Sequence, residues 1–338
     1  MKIIKILCIA LLVSSGNMFA QQEQQISGKT NTNKFRQLYD EFSTPNMFRT
    51  GSGAPGPAYY QQQADYVIDI ELDEKNKRIH GFETITYTNN SPDALNYLWI
   101  QLDQNRRAKD SKSPLIETST ITEAQIVSDF TKSFLKEKFD GGFNIEDVKD
   151  INGNTLAFTI NRTMMRVELP ETIQAGSKFS FSIKWSFNIN NHITVKGRSG
   201  YEDFPDGNSN FVIAQFYPRM AVYNDVEGWQ NSQFWGRGEF ALPFGNFEVN
   251  ITVPSDHILD GTGRLLNREE VYSREMMKRY KLAKKSYEEP VVIVNTEEAE
   301  KASKQASKYN KTWKLYAENV RDFAFATSRF SVLIDSSP

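Results

Sequence analysis

Apolar and polar residues alternate along several segments of the chain, and this period of two predicts β-strands. In DYVIDIELD, residues 65–73, every second side chain is apolar and acidic residues lie between. Such a segment buries one face of a strand and leaves the other face in water. Four further segments are predicted as strands: 78–89, 95–101, 178–189 and 247–253.

The connections between these strands predict how they pair. The turn sequence NNSPD at 89–93 and the short EKNK segment suggest that the first three strands form an antiparallel meander. NGN at 152–154 predicts a hairpin with LAFTI and MMRVEL around it. Residues 124–139 have helical spacing, and the charge-rich 266–309 segment is predicted to be partly helical with a strand in EEPVVIVN. We therefore expect a mainly β fold of antiparallel sheets with a few helical excursions.

The N-terminus has the layout of a secretory signal. Residues 1–20 carry Lys2 and Lys5 near the start, continue with a short apolar run, and then have the small residues 14–16 and Ala20; the run is too short to span a membrane. Residues 21–60 follow as a polar leader that ends in the irregular segment GSGAPGP. Cys8 is the only cysteine and lies in the signal, so the mature chain has no disulfide or thiolate chemistry. An exported chain without cysteines fits the periplasm or surface of a Gram-negative bacterium.

Composition restricts the partners. The formal net charge is −2, which gives no reason to expect nucleic acid as a partner, and no later segment has the length of a membrane span.

The three histidines, His80, His192 and His257, have no second histidine three to five residues away, so no local metal pair is present. A metal site assembled from distant segments stays open. No G-x-S-x-G nucleophile motif occurs either, and we predict no catalytic residue.

Residues 211–254 form the most informative stretch. A hydrophobic strand passes into a long aromatic and polar loop, which returns as a strand at Phe247. A long ordered loop often carries function, although its aromatic rings can also cap the end of a sheet. Trp229 and Trp235 lie in its irregular part and are the better candidates for surface aromatic groups, whereas Trp99, Trp185 and Trp313 lie in apolar patterns typical of a core.

The run QFYPRMAVYNDVEGW, followed by GEFALPFGNFEVNITVP, resembles the N-terminal domain of the aminopeptidase N-like zinc metallopeptidases, most closely their exported bacterial branch. Blocks near residue 50 and near LYAENVRDFAFATS extend the resemblance over about 35 to 330. The resemblance implies a saddle of β-sheets over 61–328 that covers one side of an active site in a following domain. The zinc motif HExxH and the motif G-x-M-E-N of that following domain do not occur in this sequence, and residues 329–338 look unlike the expected continuation.

The resemblance also implies substrate-binding residues. Gln215 matches a glutamine that lines the substrate cleft, and Tyr217 stands where many aminopeptidases have an acidic or amide residue for the substrate amine. Arg219, Tyr223 and Asp225 are weaker candidates for the rim. Gln215 can equally be a strand-end residue that satisfies backbone groups.

These features lead to two functional hypotheses. The first is the N-terminal domain of an exported zinc metallopeptidase, truncated or interrupted before the catalytic domain, which shapes a peptide-binding cleft; zinc and peptide hydrolysis are then expected of the full-length relative. The second is a free-standing module that binds peptide or carbohydrate through the 211–238 loop without catalysis. A hydrolase with an unrecognised carboxylate site is a third hypothesis.

Overall fold

The computed structural model describes residues 45–113, 139–195, 197–236, 241–304 and 306–335. These residues are mostly β-strands arranged in several antiparallel sheets, with three short α-helices and one 3₁₀ helix. The mainly β fold class with a few helical excursions is therefore confirmed. None of these helices is long and apolar enough to cross a membrane. The helix predicted over 124–139 lies outside the described residues except for its last position.

The strands, in chain order, are β1 Gln63–Asp73, β2 Arg78–Thr88, β3 Leu95–Gln101, β4 Asn144–Asp150, β5 Phe158–Asn161, β6 Met164–Ile173, β7 Lys178–Asn188, β8 Gly200–Asp203, β9 Ser209–Ile213, β10 Arg219–Met220, β11 Tyr223–Asn224, β12 Gly228–Trp229, β13 Gly245–Pro254, β14 Ile258–Gly261, β15 Arg264–Leu265, β16 Val291–Val294, β17 Asn310–Val320, β18 Phe325–Ser328 and β19 Leu333–Asp335. The 3₁₀ helix spans Asp103–Arg107, and the α-helices are α1 Arg268–Val271, α2 Arg274–Ala283 and α3 Thr296–Ser303.

The largest sheet has seven strands in the order β15-β17-β13-β1-β2-β7-β4. β1 lies parallel to β13, with Ile68 opposite Val249, whereas the other neighbours in this sheet are antiparallel. The predicted alternation in β1 is confirmed, because Tyr66, Ile68, Ile70 and Leu72 are buried whereas Val67, Asp69 and Glu71 are exposed. Trp185 and Trp313 are buried in this sheet, as predicted, while Trp99 in β3 is only half-buried.

The predicted meander of the first three strands is wrong for β3. β1 and β2 form a hairpin, but β3 belongs to a second sheet in the order β10-β3-β6-β5. The reason lies in the NNSPD turn: the buried side chain of Asn89 donates hydrogen bonds from Nδ2 to the carbonyls of Asp93 (2.7 Å) and Ile173 (3.1 Å). These bonds tie the turn to the end of β6, and the chain enters the second sheet beside that strand.

The hairpin predicted at NGN needs a similar correction. The Asp150 amide donates to the Asn154 carbonyl at 2.9 Å, so a tight turn is present at the predicted place. The strands in LAFTI and MMRVEL, however, pair with each other around a second turn at Arg162, whose φ is 55°. That turn places β5 and β6 in the second sheet.

The described residues also include a third sheet and a small helical cluster. The third sheet has the order β14-β18-β9-β8. α2 packs its buried residues Met276 and Ala283 against Ile293 and Val294 of β16. The strand predicted in EEPVVIVN is confirmed as β16, and it pairs with β19.

Residues 45–60 and 225–228 belong to a separate compact unit. Within it, Arg49 donates bidentate hydrogen bonds to Asp225, from Nε at 2.8 Å and from Nη2 at 3.0 Å. The Phe48 and Tyr60 rings pack edge to face with centroids 5.7 Å apart. All other described residues belong to the second unit.

Glu83 is an acidic residue inside the core of the large sheet. It lies in β2 between Ile68 of β1 and Ile183 of β7, it is 0% exposed, and neither carboxyl oxygen has a hydrogen-bond partner in the described part of the chain. Burial raises the pKa of the Glu83 carboxyl well above its ordinary value of 4.5. The folded protein therefore holds this carboxyl in the neutral form.

Replacing Glu83 by leucine is expected to raise the free energy of unfolding by about 1–3 kcal/mol at pH 5. The gain should be larger at pH 8, because the unfolded chain releases the Glu83 proton above its ordinary pKa while the folded chain retains it, so wild-type stability falls as pH rises. Urea unfolding of both proteins at the two pH values measures this difference. Glu83→Gln should lose the pH dependence but keep the unsatisfied polar group; an equal gain at both pH values for Glu83→Leu would contradict the assignment.

Candidate functional site

Gln215 lies at a sharp corner just after β9. Its φ is 53°, in the left-handed region that residues other than glycine rarely adopt. Such a conformation is unfavourable and persists only where surrounding contacts hold it, often at binding sites. The backbone at Gln215 is therefore a feature that the neighbouring residues must maintain.

Gln104 supplies that contact from the 3₁₀ helix. Its Nε2 donates to the Gln215 carbonyl at 2.9 Å, and its Oε1 accepts a hydrogen bond from Nη1 of Arg107 at 2.9 Å. Gln104 and Arg107 are both buried, so the corner is held by groups that are themselves fixed. The half-buried side-chain amide of Gln215 has no hydrogen-bond partner within the described residues, so it is free to donate to and accept from a ligand.

A set of charged and phenolic groups, all buried except the partly exposed Asp322, holds the other end of this segment at Arg219. Arg219 donates from Nε to Asp103 Oδ2 at 2.8 Å and from Nη1 to Asp322 Oδ2 at 2.9 Å. The Tyr217 hydroxyl donates to the other oxygen of Asp322 at 2.9 Å. Three segments far apart in sequence therefore meet here, and their bonds fix both ends of the Gln215–Arg219 segment.

The pKa shifts in this set follow from burial and charge. Burial lowers the pKa of Arg219, but the neighbouring carboxylates Asp103 and Asp322 outweigh burial and raise it above the ordinary value. Burial raises the pKa of Asp103, and the adjacent guanidinium opposes that shift. Burial also raises the pKa of Tyr217 well above 10, and the negative Asp322 adds to the rise. Tyr217 is therefore a neutral hydrogen-bond donor at physiological pH.

The structure brings together only part of the predicted site. Gln215, Tyr217 and Arg219 lie in one segment, but the Tyr217 side chain is only 1% exposed and packs against Tyr66 and Phe247. Its role as a residue that contacts substrate stays a prediction.

The other candidates have partners elsewhere. The Tyr223 hydroxyl donates to Asp93 Oδ2 at 2.7 Å, and Asp225 binds Arg49 within the separate compact unit. Trp229 packs edge to face against Tyr223 with centroids 5.2 Å apart.

Three residues of the supporting frame were not anticipated from the sequence: Asp103, Gln104 and Asp322. Asp103 and Gln104 begin the polar run DQNRR directly after the apolar strand β3, and an abrupt change of this kind was the available signal. Asp322 lies in a turn between β17 and β18, and no local pattern marks it.

Zinc does not fit the residues that the structure describes. Within those ranges, no group of three or more His, Asp or Glu residues could hold a metal ion. His80 and His192 are exposed, whereas His257 is fully buried with Nδ1 at 3.2 Å from the Thr327 hydroxyl. No catalytic step through a metal follows from these residues.

The chain is similar in structure to zinc metallopeptidases of the M1 family. An M1 zinc metallopeptidase from Deinococcus radiodurans gives a TM-score of 0.40 at 11% identity, covering 79% of this chain and 41% of its own. A mutant two-domain M1 zinc metallopeptidase bound to L-tryptophan gives a TM-score of 0.40 at 10% identity, covering 81% of this chain and 44% of its own.

This chain thus spans less than half the length of either protein. Similarity at this level does not establish a shared activity. No protein-family model matches the sequence, and no curated protein matches it significantly.

Proposed function

We propose that this chain is the β domain of an exported, aminopeptidase-like zinc metallopeptidase, and that its Gln215 corner forms part of a peptide-binding cleft. The observation that carries the proposal is the left-handed backbone of Gln215, held by Gln104, with a side-chain amide that has no partner in the described residues. An amide both donates and accepts, which suits the N–H and C=O groups of a peptide backbone. The sequence block around Gln215 supports the same role. Zinc and hydrolysis would belong to a longer protein.

Peptide binding by the full chain tests the role of Gln215. Calorimetric titration with an unmodified tripeptide is expected to show saturable binding, and Gln215→Ala should weaken it by about tenfold because a hydrogen-bonding group is lost. Gln215→Gly should weaken binding equally, yet raise the free energy of unfolding by about 1 kcal/mol, since glycine adopts φ near 53° without strain. If Gln215 binds peptide at the expense of stability, Gln215→Gly should weaken peptide binding and at the same time raise the free energy of unfolding.

Gln174→Ala is the matched control, because Gln174 is an exposed glutamine in the turn between β6 and β7. It should change neither binding nor stability. An N-acetylated form of the tripeptide shows whether a free amine is needed. Binding that survives Gln215→Ala unchanged would exclude the corner as the peptide site, and zinc-dependent hydrolysis of an aminoacyl anilide by this chain would overturn the assignment as a non-catalytic domain.

A further inference from the structure

Trp235 lines a polar cavity whose residues the proposal for Gln215 does not use. The cavity has a volume of about 520 Å³, within the range of small-molecule sites. Its walls come from β7, the start of β2 and β4, the turn between β5 and β6, and the residues after the 3₁₀ helix. Trp235 and Phe143 supply aromatic surface, and the side chains of Asn144 and Asn188 supply polar groups.

The indole of Trp235 is held in place by the residues before it. The Gln233 side chain accepts hydrogen bonds from the Thr163 amide (2.9 Å) and hydroxyl (2.8 Å), and it donates to the Asn161 carbonyl at 2.9 Å. The amide of the buried Phe234 donates to the Thr163 hydroxyl at 2.8 Å. The loop is thus fastened to the β5–β6 turn, and the half-buried ring of Trp235 is preorganised at the cavity.

Three cationic side chains line the same cavity: Arg78, Arg162 and Lys112. Arg78 donates from Nη2 to the Ser186 hydroxyl at 2.8 Å, while its buried Nε has no hydrogen-bond partner among the described residues. The Arg162 guanidinium lies 5.6 Å from the centre of the Trp235 ring. Within the described residues, neither of these arginines nor Lys112 forms an ion pair. Charges of this kind attract an anionic group.

Two carboxylates in the wall narrow the class of ligand. Asp110 and Asp140 line the cavity together with the three cations. They disfavour a doubly charged phosphate, but they can accept hydrogen bonds from hydroxyl groups. A ring with one carboxylate, several hydroxyls and an apolar C–H face matches these groups: its carboxylate can pair with the cations, its hydroxyls can bond to the carboxylates, and its C–H face can pack on Trp235.

We propose that this cavity binds an acidic saccharide, with Trp235 as the ring platform and Arg162 and Arg78 as the carboxylate-binding groups. This site is separate from Gln215 and does not depend on the peptide proposal. Of the two tryptophans in the loop, the proposal assigns ligand binding to Trp235, because Trp229 packs against the rings of Tyr87 and Tyr223.

Calorimetric titration of the full chain with a trimer of galacturonic acid tests the site. We expect saturable binding that quenches tryptophan fluorescence, and at least about tenfold weaker binding of the neutral methyl-ester trimer, because an interaction with a charged group is lost. Arg162→Gln should weaken binding of the acid by a similar factor and leave the ester unchanged. Trp235→Ala should weaken binding of both, with far-UV circular dichroism confirming the fold.

Arg264→Gln is the matched control. Arg264 is an exposed arginine in β15, and its guanidinium lies 5.3 Å from the centre of the Tyr316 ring. It should bind the acid normally, and so should Gln215→Ala, which separates this test from that of the peptide site. Equal affinity for acid and ester, or normal binding by Arg162→Gln, would overturn the proposal. Tighter binding of inorganic phosphate or a mononucleotide than of the acidic trimer would show that the ligand class is wrong.

Discussion

Replacing Asp103 by asparagine is expected to lower the free energy of unfolding by about 3–5 kcal/mol, because it leaves the guanidinium of Arg219 buried without its nearest counter-charge. Arg219 and Asp103 are 7% and 1% exposed in their side chains and lie 2.7 Å apart at Nη2 and Oδ2. Asp322 is a weaker substitute, since its side chain is 41% exposed and solvent screens it. Urea unfolding gives the change from the midpoint and slope.

Two further variants distinguish the loss of the buried Asp103–Arg219 ion pair from a nonspecific destabilisation of the fold. Glu275→Gln removes an exposed ion pair with Lys278 and should change stability by less than about 0.5 kcal/mol. The double change Asp103→Leu with Arg219→Met replaces both charges by apolar groups and should recover much of the lost stability, because no charge is then stranded. A loss below 1 kcal/mol for Asp103→Asn would show that Arg219 finds compensation elsewhere.

Gly245→Ala is expected to destabilise the fold by about 3 kcal/mol or more, since a side chain there collides with the backbone of the neighbouring strand. A Cβ at Gly245 would lie 1.6 Å from the Ala64 carbonyl oxygen, a distance that no rotamer change can relieve. Gly245 is the first residue of β13, where this strand begins to pair with β1. The Ala64 amide donates a hydrogen bond to the carbonyl of the preceding residue, Phe244, at 3.0 Å. The substitution must therefore push the two strands apart.

Gly176→Ala serves as the contrast for that steric effect. Gly176 has a φ of 75° and nothing within 4 Å of its Cβ position, so alanine there should cost only about 1–2 kcal/mol for the left-handed backbone. Thermal and urea unfolding of both variants compare a clash with a purely conformational effect. A smaller loss for Gly245→Ala than for Gly176→Ala would mean that β1 and β13 separate easily.

The strands were predictable where a single face is buried. In β1 and β7 apolar and polar side chains alternate because one face of each strand is buried and the other is exposed to solvent. This period of two is visible in the sequence. Their partners were not predictable, because pairing depends on distant groups: the side chain of Asn89 reaches the carbonyl of Ile173, and this bond between distant residues redirects β3. Glu83 shows the same limit, since an acid in an apolar strand gives no sign that it faces inward.

The candidate site follows the same division. Gln215 was singled out by the resemblance of its sequence block to a known family, whereas Trp235 was singled out because it lies in the irregular part of a long aromatic loop. The residues that hold them, Gln104 and Gln233, make their contacts across 111 and 70 positions of sequence, and no local pattern encodes such a contact. The left-handed backbone conformation of Gln215 could not be predicted from the sequence either, because glutamine has no preference for that conformation.

The parallel pairing of β1 with β13 also sets the order of events during synthesis. Asp69 and Asn250, whose side chains hydrogen-bond across these strands at 2.9 Å, are separated by 181 positions. At about 5–20 residues per second, β13 emerges roughly 10–35 s after β1. The hairpin with β2 can form at once, but the other edge of β1 stays open for that interval. An open strand edge is a template for pairing with other chains, and this edge of β1 can be covered only after β13 has been made.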